Sequence, residues 1–342
     1  LPSISSTLGN YIGSYNGGAA GWALDGYIAQ FYAIYSQALT PSSFGSTNAT
    51  TGVWQPAAYT GTYGTNSFYL PFTNITSTTT IGYDASPNGN NWTTNNISLT
   101  TGSTYDSMTD VPTLTSATTA NYCVLSPIDN SAVSGRSIGG TLSDANLTFS
   151  TSSAAVSRPS TFKSYPTDSK WYAEVKLASL ATGANSIVGI MANGGGNYLA
   201  RITADIAASV GDIINIAYDP ASGKVWYGLN NTWTASGNPS AGTNPFYTLS
   251  GSELNGATLA VGTSSITGGT TTFNVNFGQQ GFVYTPPTGF NALNTYNLPA
   301  STIVNGSSVM DATTYTGNGS AGTDLQNIVN AGGFKPDLVW VK

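Results

Sequence analysis

The sequence predicts an all-β protein built from tandem antiparallel β-sandwiches. Apolar and aromatic residues fall in runs of strand length, clusters of Gly, Pro, Asn and Asp separate them at short intervals, and no stretch sustains a helical period. Residues 169–227 carry the pattern best. Lys170-Trp171-Tyr172-Ala173-Glu174-Val175-Lys176-Leu177 reads as one strand, and Ile213 to Tyr218 and Lys224 to Leu229 read as two more. Between the last two, Asp219-Pro220-Ala221-Ser222-Gly223 supplies the turn of a hairpin.

In chain order, residues 27–35 alternate as a strand buried on at least one side, with Tyr27, Ala29, Phe31 and Ala33 on one face. After it, Thr40 and Pro41 fit the N-cap and first position of one short helical turn. Residues 46–121 are dense in Gly, Thr, Asn and Pro with isolated aromatics, which predicts a loop-rich connector held down by its rings. From 122 to 285 one module is expected, with strands near 122–125, 147–150, 171–177, 186–191, 198–202, 213–218, 224–229, 258–263 and 273–277. Residues 286–342 read as a Pro-bounded linker and the opening of a further β module. Leu1 is not an initiator methionine and Val339-Trp340-Val341-Lys342 reads as a strand without a partner, so an internal segment of a longer polypeptide is expected.

Two family resemblances emerge from these motifs. Leu24-Asp25-Gly26-Tyr27-Ile28, the aromatic run after it and Ala38-Leu39-Thr40-Pro41-Ser42-Ser43-Phe44 resemble the closing strands of laminin-G-like, concanavalin-A-like jelly rolls over residues 1–45. Lys170-Trp171-Tyr172-Ala173-Glu174-Val175, Val188-Gly189-Ile190, Gly211 to Asp219, Lys224-Val225-Trp226-Tyr227 and Asn276-Phe277-Gly278 resemble the successive strand motifs of SPRY domains in order and spacing. Together the modules resemble multidomain virion structural proteins of bacteriophages, of tail-fibre or head-fibre type. That resemblance implies a virion location, homo-oligomers, and contacts with other virion subunits and host-surface glycans. A subunit of an extracellular filament or adhesin is the alternative.

Composition narrows the chemistry. Only 7% of the 342 residues are charged, against roughly 25% in an average domain, so the surface is made of hydroxyls and amides. A net charge of −6 with scattered basic residues argues against a nucleic-acid partner. No apolar run reaches the roughly 20 residues of a membrane helix. The single cysteine, Cys123, rules out an internal disulfide and is expected to be a small buried hydrophobe.

The absence of histidine removes Ser-His-Asp and Cys-His mechanisms and His-containing zinc sites. Glu174 and Glu253 are the only glutamates, and the Glu-x-Asp-x-x-Glu pattern that resembles glucanases of the concanavalin-like fold does not occur. Glu174 is expected to hydrogen-bond within the scaffold, so the reading is a non-enzyme. Gly194-Gly195-Gly196 lacks the lysine and helix of a phosphate loop. Asp84, Ser86 and Asn88 place oxygen ligands at alternate positions before Gly89, as in a calcium loop, but the closing glutamate is replaced by Asn95; a plain Asx turn is the competing reading. Asp106 and Asp110 form a weaker metal pair. For glycan binding, Asn230, Asn231 and Trp233, and Asn90, Asn91 and Trp92, form two Asn-Trp clusters, each with the competing reading that its Trp plugs a loop against the sandwich. The loop at 230–248 is where the SPRY resemblance puts partner binding.

Overall fold

A computed structural model describes residues 10–14, 24, 26–49, 54–102, 104–109, 116–128, 140–153, 156–159, 169–191, 200–201, 203–254, 257–263, 265–299 and short pieces between 303 and 339. Regular structure within them is all β, apart from single 3-10 turns. The chain forms two compact units, Leu1–Ile34 with Thr65–Pro299, and Tyr35–Gly64 with Ala300–Lys342.

The larger unit is organised by β8 (Lys170–Ser179), the longest strand described, at the middle of a nine-stranded sheet. On one side β8 pairs with β11 (Ile213–Asp219), which pairs with β12 (Lys224–Leu229) and then β13 (Thr232–Trp233). On the other it pairs with β16 (Thr271–Asn276), followed by β6 (Thr148–Thr151) and β5 (Thr141–Ser143). Two short strands complete the sheet: β14 (Tyr247–Thr248) pairs with β12, and β17 (Phe290–Ala292) runs parallel to the start of β8. The second sheet has the order β10 (Ala200–Arg201), β9 (Ser186–Met191), β15 (Thr258–Thr263) and β7 (Val156–Pro159).

Alternation decides which side chains meet between the sheets. Trp171, Val175 and Leu177 of β8, Ile214 and Ile216 of β11, and Phe273 and Val275 of β16 pack on Val188 and Ile190 of β9 and Leu259 and Val261 of β15. Each fully buried aliphatic side chain contributes about 1.5–3 kcal/mol relative to exposure. The expected hairpin forms in the register Tyr218 to Val225 and Asp219 to Lys224. Gly223 closes its turn at φ 69°, where a Cβ would lie 2.2 Å from the Leu249 carbonyl oxygen.

The sequence-based expectation fails in two places. At 27–35 only β1 (Phe31–Ala33) forms, pairing with β4 (Phe68–Leu70). Gln30 has φ 53°, which breaks the extended chain, and Tyr27 and Ile28 remain 47% and 37% exposed. At 122–125 the apolar run makes single bridges instead of a strand. Tyr122 bridges Asn294, the Cys123 N–H donates to the Leu293 carbonyl, and the Leu125 N–H donates to the Asn146 carbonyl. Cys123 is fully buried.

In the smaller unit, β2 (Gly45–Thr47) pairs with β3 (Trp54–Pro56) beside the 3-10 turn Pro41–Ser43. Thr40 is its N-cap and Pro41 its first residue, as the sequence predicts, although the Thr40 hydroxyl bonds to Ser42 Oγ (2.7 Å) rather than capping an N–H. Tyr59 packs on Phe44 and on Tyr63, with ring centroids 5.4 and 5.2 Å apart.

Candidate functional site

The Asn-Trp cluster at 230–233 is a tight hairpin turn. Asn230 and Asn231 both take positive φ (47° and 68°) between the paired residues Leu229 and Thr232, the geometry of a type I′ turn, in which asparagine is favoured. Their polar groups bind the scaffold. Asn230 Oδ1 accepts from the Ile213 N–H (3.0 Å) and its Nδ2 donates to Asp212 Oδ1 (2.8 Å), while the Asn231 N–H donates to Asn215 Oδ1 (2.7 Å). The Ser209 N–H and the Asn230 amide hold the Asp212 carboxyl below the usual carboxylate range. Trp233 packs against the cluster of Tyr172, Ala217, Trp226 and Phe290.

The second cluster forms one knot with the calcium-loop motif. Asp84 Oδ1 accepts from the N–H groups of Tyr69 and Ser86, and Oδ2 from Ser86 Oγ and the Asn90 N–H, all at 2.7–2.8 Å. Burial raises the Asp84 carboxyl, but these hydrogen bonds outweigh it and hold the group below its ordinary value. The Asn88 and Asn90 amides donate to the Ser67 carbonyl, and the Asp84 N–H donates to Asn91 Oδ1. Trp92 lies on Phe68, with centroids 5.0 Å apart. Asp84, Ser86 and Asn88 are therefore brought together, and the two carboxylate oxygens already face four protein donors. No group of three or more Cys, Asp or Glu that could hold a metal occurs among the described residues. Asp110 and Gly194-Gly195-Gly196 lie outside them.

Sequence reasoning did not anticipate a cleft on the outer face of the nine-stranded sheet, the face turned away from the second sheet. Its floor comes from adjacent strands. Lys176 of β8 lies directly opposite Asn274 of β16 and Ile213 of β11, and Glu174 opposite Asn276. Thr100, Thr101, Gly102, Thr104, Gly211, Gln280 and Val283 complete a cavity of about 250 Å³. The Asn274 amide donates to Thr148 Oγ1 (2.7 Å), which extends the polar row to β6. Each contributing piece shows at most three polar residues, so the visible signal was the recurrence of Glu174 and Lys176 on one face of β8 and of Asn274 and Asn276 on one face of β16.

Glu174 is 2% exposed and ties the cleft wall to the sheet. Its Oε2 accepts from the Val283 N–H (2.9 Å), and its Oε1 accepts from the Tyr284 N–H (2.8 Å) and from the Tyr172 hydroxyl (3.0 Å). Tyr172 Oη in turn accepts from Asn215 Nδ2 (2.7 Å), so a continuous chain of hydrogen bonds links the Asn231 turn to residues 283–284. Burial pushes the Glu174 carboxyl upward, opposed by these donors. Burial, reinforced by the Glu174 charge, also raises the Tyr172 phenol. Asn276 fixes the next turn, accepting from the Gly278 N–H and donating to the Gly281 carbonyl.

Among the described residues Glu174 is the one carboxylate that lines the cleft. Asp219 is paired with Lys170 (3.2 Å), and Glu253 Oε2 accepts from the Ser250 N–H at the start of a 3-10 turn. The cleft therefore lacks the two facing carboxyl groups of a glycosidase. No protein-family model matches the chain, and no curated protein matches it in sequence. No described helix is long and apolar enough to cross a membrane.

Proposed function

We propose that this chain is a non-enzymatic structural segment of a bacteriophage virion, a fibre or appendage built from β-sandwich modules that recognises host-surface glycans. The observation that carries the reading is the state of the sandwich's acidic groups. The carboxylate best positioned for chemistry, Glu174, has both oxygens engaged in holding residues 283–284, as a scaffold group would. The SPRY-like motifs also fall, in sequence order, on β8, β9, β11 and β12 and at the end of β16, which supports the resemblance. A surface of hydroxyls and amides with few charges suits a particle component that self-associates and touches polyols.

The chain is expected in closed homo-oligomers on the particle. Electron microscopy of purified particles labelled with an antibody against it tests this. Label at fixed three-fold or five-fold positions supports the reading. Open head-to-tail helical arrays on a cell surface would instead make it a filament subunit or adhesin. Release of reducing ends from a β-glucan would overturn the non-enzymatic assignment.

A further inference from the structure

We infer that the cleft on the outer face of the nine-stranded sheet binds one neutral sugar ring, with the Gln280 carboxamide gripping a pair of adjacent hydroxyls. This rests on the glycan-recognising part of the proposed function and gives it a site. It moves recognition away from both Asn-Trp clusters, whose amides hold backbone groups and whose rings pack on the scaffold.

Two adjacent glutamines carry the argument. Gln279 and Gln280 are 0% and 2% exposed. Gln279 gives its amide to the scaffold: Oε1 accepts from the Phe277 N–H (2.9 Å) and Nε2 donates to the Cys123 carbonyl (3.0 Å). Gln280 differs. Its N–H donates to Asn276 Oδ1 and its carbonyl accepts from the Gly102 N–H, both at 3.4 Å, but its carboxamide has no hydrogen-bonding partner among the described residues. With its backbone engaged, what Gln280 presents to the cavity it lines is that carboxamide, which borders open space rather than being sealed in protein. Buried polar side chains are ordinarily paired, so the partner of this amide has to come through the cavity.

The complement of a carboxamide is a group that offers a donor and an acceptor side by side. Two adjacent hydroxyls of a sugar do so, one donating to Oε1 and the other accepting from Nε2. Thr101 and Thr104 add hydroxyls to the lining, and Ile213 and Val283 add small apolar sides for the C–H face of the ring. Glu174 and Lys176 both line the space, so its formal charges balance and a neutral ligand suits it. The volume, about 250 Å³, falls below the roughly 300–1,000 Å³ of pockets for drug-sized ligands, which limits the occupant to one ring. Two walls are set beforehand. The Asp106 N–H donates to the Ser98 carbonyl (2.8 Å), tying together the ends of the segment that carries Thr101 and Thr104, and Glu174 holds residues 283–284.

The test is a saturation-transfer NMR titration of the intact chain with the methyl α-glycosides of glucose, galactose and mannose. At least one is expected to bind with a millimolar Kd. Gln280→Met keeps the bulk of the side chain without its donors or acceptor, and should weaken that binding roughly tenfold, the worth of two neutral hydrogen bonds. Because the amide holds nothing in the fold, Gln280→Met should melt no lower than the native chain, whereas Gln279→Met should melt lower. Thr101→Trp, at an exposed position of the lining, should block the sugar; circular dichroism verifies that each variant is folded. Undiminished binding in Gln280→Met or in Thr101→Trp overturns the cleft as the site and places any glycan elsewhere on the chain. A lower melting point in Gln280→Met overturns the recognition role by making the amide a scaffold group. No transfer to any of the three glycosides at roughly 20 mM overturns the inference as a whole. None of these outcomes touches the virion placement, which particle microscopy decides separately.

Discussion

Replacing Glu174 with glutamine tests whether this buried carboxylate is a scaffold group. Glutamine matches its shape and keeps one acceptor oxygen, but it turns an amide nitrogen toward either the Val283 N–H or the Tyr284 N–H, which stand 2.9 and 2.8 Å from the carboxylate. One buried donor loses its acceptor, at a cost of about 1–3 kcal/mol. At roughly 2–4 °C for each kcal/mol in a unit of this size, the thermal midpoint should fall by roughly 2–12 °C. The pH dependence sharpens the test. Burial raises the folded-state pKa of Glu174 above its unfolded value, so between the two the folded chain binds more protons than the unfolded chain. Its stabilising contribution is fully present below the unfolded pKa, about 4.3, and is lost as pH rises through the folded value. Glutamine does not titrate. The stability gap between the native chain and Glu174→Gln, measured by scanning calorimetry, should be widest near pH 4 and narrow toward neutrality. A gap that widens over that range, or an unchanged midpoint, refutes the reasoning.

Other perturbations reach different links of the structure. Gly189→Ala places a Cβ 2.1 Å from the Tyr227 hydroxyl at φ 137°, so the Tyr227 ring must leave its packing and its bond to the Ile190 N–H; urea unfolding should show a loss of about 2–5 kcal/mol. Asn231→Gly should be neutral or slightly stabilising, because glycine suits the positive φ of the turn. Asn230→Ala should cost about 0.5–1.5 kcal/mol in urea unfolding, the net worth of its exposed hydrogen bonds to the Ile213 N–H and Asp212. Asp84→Asn should destabilise the chain at neutral pH. Because the folded-state carboxyl of Asp84 titrates below its unfolded value, its contribution is present above about pH 4 and lost as pH falls through the lowered pKa; thermal melts of the two chains should converge in acid.

How much was legible in the sequence follows from how local each feature is. The β11–β12 hairpin could be read because its determinants are contiguous: two apolar alternating runs and a turn closed by Gly223. The Asn230-Asn231 turn was visible as a motif, but its meaning depended on Asp212, Ile213 and Asn215, fifteen or more residues upstream. At 27–35 the alternation was genuine, yet the left-handed backbone at Gln30 ended the strand early, and alternation alone carries no sign of that. At 122–125 the apolar run reads as a strand, but no ladder forms because its backbone partners, Leu293 and Asn146, lie in irregular segments.

The cleft lies at the far end of this scale, and its own chemistry explains why. A strand with one face against the core must present its other face to something, and in β8 and β16 that face carries Glu174 and Lys176 opposite Asn276 and Asn274. Polar residues at alternate positions ordinarily mark a solvated face, and the sequence offers no distinction between such a face and the floor of a site. What distinguishes this one is the burial of Glu174 under residues 283–284 at the edge of a cavity that Lys176, Asn274 and Asn276 also line. Desolvating a carboxylate costs several kcal/mol unless donors compensate it. Here three donors offset part of that cost, two of them from backbone more than a hundred residues away, and burial still prevails in raising the Glu174 carboxyl. A neutral amide in that place would leave one of these backbone donors without an acceptor. The charged network thereby fixes one wall of the cavity to its floor, a rigidity that neither strand alternation nor composition announces.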